Sequence, residues 1–83
     1  MEEIRILGVL VETRTEAAAR VQEIFTKYGC NIRTRLGLHT LELPECSNCG
    51  LILLELSGSQ EECIRLENEL LALDNVKVQK MIF

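Results

Sequence analysis

Cys46-Ser47-Asn48-Cys49 sets two thiols at CxxC spacing, inside a segment, Leu41 to Gly50 (LELPECSNCG), that also carries the only proline of the chain. At that spacing two thiolates share one Zn²⁺ or iron, or close into a redox disulfide. One such pair supplies half of a tetrahedral thiolate site. The remaining ligands would be His39 and one further group, or the same pair from a symmetry-related subunit. The plain alternative is an exposed loop with two incidental cysteines, although reactive exposed thiols are a liability unless something uses them. Cys63 lies on a helical apolar stripe and Cys30 at the entry to a strand, both places where free cysteine packs as a small hydrophobe.

A second constellation is Arg33, Arg35, Gly37 and His39, which simple alternation puts on one side of a strand, opposite Ile32 and Leu36. Such a row of guanidinium groups could grip a carboxylate or a phosphate. A cross-strand ion pair competes with that use, because a fold-back through the Pro44 segment brings Glu55 alongside the arginines. His39 alone reads as a solvated edge residue. The chain lacks a phosphate-binding glycine-rich loop, a His-Glu-x-x-His helix and a nucleophile elbow, and it has one histidine. It is therefore expected not to be an enzyme.

The elements that must position these groups read as strand, helix, strand, twice. Ile4 to Val11 (IRILGVLV) and Leu51 to Leu56 (LILLEL) are near-continuous apolar runs, as strands covered on both faces require. The segments around Ile32 to Leu38 and Val76 to Val78 alternate instead, as edge strands do. Between them, Ala18, Val21, Phe25 and Tyr28, with Ile24 beside them, form one helical stripe; Cys63, Leu66, Leu70 and Leu73 form another. Thr13-x-x-Glu16 and Ser59-x-x-Glu62 have capping-box spacing, Gly29 is placed to end the first helix in a left-handed conformation, and Asp74-Asn75 turns into the last strand.

Two βαβ units of this length with right-handed crossovers give an α+β, ferredoxin-like βαββαβ sandwich: a four-stranded antiparallel sheet with both helices on one face. Two helices cover only one face. The other apolar face of the central strands then needs a partner, which makes a homo-oligomer, dimer or tetramer, the expected state. With 83 residues the chain is one domain, residues 1–83, near the small end of what buries a self-sufficient core, so assembly would add stability. A net charge of −4 argues against nucleic acid or an anionic membrane as a direct partner, since both call for a basic surface. No apolar run approaches the roughly 20 residues of a membrane span, and Met-Glu-Glu-Ile-Arg is no secretory signal, so a cytoplasmic protein with reduced thiols is expected.

The β-α-β-β-α-β layout resembles the ACT domain superfamily and the ligand-binding half of nickel-responsive repressors. Ile32-Arg33-Thr34-Arg35-Leu36-Gly37, Leu51 to Leu56 and Val76-Lys77-Val78 are similar to the small, single-domain iron-only hydrogenase system regulator family. The resemblance implies an ACT-like regulatory domain that associates through sheets or sheet edges, binds a small molecule or a metal, and acts through a partner protein. Nickel joins zinc and iron as a candidate metal, because Cys49 lies just before the third strand, where the repressors place a ligand cysteine. Amino-acid-binding ACT domains usually carry a glycine in the first strand-helix turn, where this chain has Glu12-Thr13-Arg14-Thr15.

Overall fold

A computed structural model describes residues 3–12, 15–38 and 49–83. Its elements follow the expected order: β1 (Arg5–Glu12), α1 (Ala17–Lys27), β2 (Ile32–Leu38), β3 (Cys49–Leu56), α2 (Gln60–Leu71) and β4 (Val76–Ile82). The strands form one antiparallel sheet in the order β2-β3-β1-β4. The two apolar runs are thus central and the two alternating segments are edges.

Side-chain parity divides the sheet into two faces. Leu7, Val9 and Val11 of β1, with Leu54 and Leu56 of β3, are buried against Ala17, Val21, Ile24 and Phe25 of α1 and Cys63, Leu66 and Leu70 of α2. Leu7, Leu54, Leu66 and Leu70 are at 0% exposure, and burying each such side chain stabilises by about 1.5–3 kcal/mol. The helices therefore bury one face only.

The boundaries differ from the sequence expectations at several points. Thr13 lies outside the described residues; α1 begins at Ala17, whose N–H donates to Thr15 Oγ1 (3.2 Å), and Glu16 makes no side-chain cap. Ser59 does cap α2, accepting from the Glu62 N–H at 3.2 Å, but the Glu62 carboxylate accepts from Asn31 Nδ2 (2.7 Å) instead of completing a box. Gly29 is not left-handed. It opens a 3-10 turn, Gly29–Asn31, that carries the chain into β2 and leaves Cys30 exposed rather than packed. The positive φ values belong to Asn75 (63°), in the expected last turn, and to Gly58 (96°) between β3 and α2. A Cβ on Gly58 would stand 2.7 Å from Asn31 Nδ2, so both its conformation and its neighbour require glycine there.

The largest correction concerns β2. The register with β3 shifts between Ile32 and Thr34, a β-bulge that changes the phase of the strand. Ile32 pairs with Leu56 and Arg35 with Leu54, both on the helix side, while Thr34, Leu36 and Leu38 pair with Glu55, Leu53 and Leu51 on the other.

Candidate functional site: the helix-free sheet face

The helix-free face is built from alternate residues of all four strands. The registers place Gln79, Gly8, Leu53 and Leu36 across its middle, with Lys77, Leu10, Leu51 and Leu38 on one side. On the other side run Met81, Ile6, Glu55 and Thr34. The strand pairing extends one step further, because Ile4 and Phe83 exchange backbone hydrogen bonds of 3.1 and 2.9 Å. Leu36 (51%), Leu38 (39%), Met81 (53%) and Phe83 (69%) are exposed. Contiguous apolar surface on this scale marks an interaction site more often than bare solvent-facing structure.

Cys49 opens β3 opposite Glu12, on this same face, yet is only 3% exposed. It is disulfide-bonded, whereas Cys30 and Cys63 are free. In this form its sulfur is not a thiolate ligand. Cys46 and His39 lie outside the described residues. Cys63 is buried at the start of α2 and donates to the Ser57 carbonyl at 3.5 Å; burial pushes its thiol pKa up, which makes it a poor nucleophile. Among the described residues no group of three or more potential metal ligands converges.

The arginine row is not formed, for the reason the bulge supplies. Arg35 turns to the helix side and lays its guanidinium over the Phe25 ring, 4.8 Å from the centroid. Glu55 accepts from Thr34 Oγ1 (2.9 Å) rather than pairing with an arginine. Arg33, the residue at the bulge, instead lines a cleft of about 370 Å³ with Glu3, Arg5, Glu55, Ser57, Gln60 and Cys63, so two carboxylates share the cleft with its two guanidinium groups. It has no ion-pair partner among the described residues.

A buried ionic network also escaped sequence reasoning. Arg5, at 6% exposure on the helix side of β1, contacts Glu67 of α2 (3.3 Å) and Glu3 (2.7 Å). Glu67 in turn accepts from Lys80 of β4 at 3.0 Å. The one available signal was position: Arg5 and Glu67 both fall on faces that the apolar periodicity assigns to the core.

No family model matches the chain, and no curated protein matches it. Solved structures do. An uncharacterised protein of Thermotoga maritima, TM1266, is 25% identical over 99% of both chains, with a TM-score of 0.83. A candidate PII-like signalling protein of Thermus thermophilus is 11% identical over 98% of this chain and 87% of its own, at a TM-score of 0.62. The fold is the ferredoxin-like βαββαβ sandwich expected from the sequence, four antiparallel strands with two helices on one face. The same architecture occupies part of a formyltetrahydrofolate deformylase of Pseudomonas putida, which is 11% identical; 94% of this chain matches 28% of that enzyme, at a TM-score of 0.55. The described residues contain no helix long and apolar enough to cross a membrane.

Proposed function

We propose that this chain is a small regulatory domain without catalytic activity of its own, which self-associates through its helix-free sheet face and signals to a partner protein. The observation that carries the reading is that face, where Ile6, Leu10, Leu36, Leu38, Leu51, Leu53 and Met81 stand together with no element of the described chain over them. Likeness to a candidate PII-like signalling protein supports the regulatory role. The motifs of β2, β3 and β4 support reading it as an iron-only hydrogenase system regulator, acting in the cytoplasm. A small ligand would bind in the cleft beside Arg33 or at the junction between copies. Size-exclusion chromatography with light scattering tests the association: a mass of at least two chains at micromolar concentration is expected, and a stable monomer rejects it.

The disulfide state of Cys49 favours a second reading, in which Cys46 and Cys49 form a thiol redox pair that, once reduced, holds zinc, iron or nickel with His39 or a second copy. A dithiol reductant is expected to raise the count of reactive thiols by two in the wild type and by none in a Cys46→Ser/Cys49→Ser variant. The reduced wild type alone should then retain metal by elemental analysis. An unchanged thiol count together with no retained metal sinks this reading.

A further inference from the structure

Gly8 stands in the middle of β1, a central strand, on the helix-free face. Nothing in the described fold requires a glycine there. Its φ is not positive, and among the described residues a Cβ would meet only Leu53 Cδ2 at 3.7 Å and the Gln79 carbonyl oxygen at 3.9 Å, both ordinary contacts. A glycine inside a strand weakens it, and such a position commonly marks the close approach of something else. The surrounding positions, Ile6, Leu10, Leu51, Leu53 and Leu36, are all large and apolar. Gly8 is therefore a shallow slot at the centre of an apolar field.

We infer that a second copy of this chain packs face to face on this sheet, with Gly8 as the slot that receives a large apolar side chain from the other copy. The inference rests on the self-association proposed above and names its contact point. Three features select a second copy over other occupants. Four strands of seven or eight residues span roughly 19 Å by 25 Å, a flat footprint of roughly 480 Å² per copy. Two such faces come to about 960 Å², at the lower edge of what specific interfaces bury, so a partner must cover the whole sheet, and a single strand or helix would not. An identical sheet is congruent in size and twist and sits about 10 Å away in aligned packing. Among the residues of the three rows the charges are Lys77 and Glu55, one of each sign, which offers nothing to a strongly charged partner and costs little on self-pairing.

The test replaces Gly8 and measures folding and association separately. Gly8→Val puts its Cβ at ordinary contact distances and adds β propensity, so circular dichroism is expected to show an intact domain, and urea unfolding at a concentration where both proteins are dissociated is expected to show a stability no lower than the wild type. Sedimentation equilibrium is expected to show association weakened tenfold or more, with Gly8→Ala between the two. Gly37→Val, on edge strand β2 with nothing within 4 Å of its Cβ, is expected to associate as the wild type does. A folded Gly8→Val that associates like the wild type overturns the slot while leaving self-association standing. A Gly8→Val that does not fold overturns the premise of free space. A wild type that is monomeric throughout overturns both this inference and the proposal beneath it.

Discussion

Arg5 sits on the covered face of a central strand, where a lone guanidinium would be strongly destabilising. Glu67, itself 7% exposed, is what makes the position tolerable, with Glu3 and Lys80 completing the charge balance. Breaking such a pair leaves an uncompensated buried charge, so Glu67→Ala is expected to cost about 3 kcal/mol, read from urea unfolding. The double variant Arg5→Met/Glu67→Leu should recover most of that loss, since an apolar pair of similar volume is often neutral or stabilising. A loss below about 1 kcal/mol for Glu67→Ala would mean that solvent screens the network. Periodicity places both residues on buried faces, but it registers a charge there as a break in the pattern rather than as a bond. The same limit hides Gly8, because a missing side chain has no type to read.

At the scale of elements, the two helices are tied at their C-terminal ends by Tyr28 and Lys27 reaching Glu69 of α2. The Tyr28 hydroxyl donates to Glu69 Oε2, and Lys27 Nζ lies 3.0 Å from the same oxygen. The Tyr28 hydrogen bond, then that of Lys27, holds the Glu69 carboxyl below the usual carboxylate range. The hydrogen bond to Glu69 likewise pushes the Lys27 ammonium and the Tyr28 phenol up. Because the folded Glu69 value is lowered, its contribution is complete above the ordinary carboxylate pKa and fades as pH falls through the lowered one. The Lys27 and Tyr28 contributions are present below their ordinary values and are lost only as pH rises through the raised ones. A carbon-13 titration should show Glu69 with a midpoint below that of glutamate in the unfolded chain, and Tyr28→Phe should move it back up. Coincidence of the folded and unfolded midpoints would remove the link. Capping spacing located α2 correctly at Ser59, while its counterpart at Thr13 lies outside the described residues and α1 itself starts from Glu16 without a side-chain cap. Alternation failed in β2 because the bulge inserts one residue without changing composition, and the inserted residue is Arg33 itself, which leaves the ladder while Arg35 stays paired with Leu54.

For the whole molecule, the order β2-β3-β1-β4 was legible because apolar runs covered on two faces must be central and alternating ones must be edges. The helix-free face followed from counting helices against faces. What covers that face was not legible, since a binding surface and a core surface have the same composition. The strand order carries one more consequence, for how the domain assembles in time. Although the two halves repeat one another, β1 finds its ladder partners only in the second half: Arg5 pairs with Leu56 on one side and with Ile82 on the other. The first βαβ unit thus holds two strands that never touch, and the nearest hydrogen-bonded neighbour of each is β3. Closing those distant ladders costs loop entropy before any sheet contact rewards it, which slows folding relative to a helical domain of this size. A chain emerging from synthesis would carry β1 as an unpaired apolar ribbon until β3 arrives, so each half of the repeat depends on the other for a sheet.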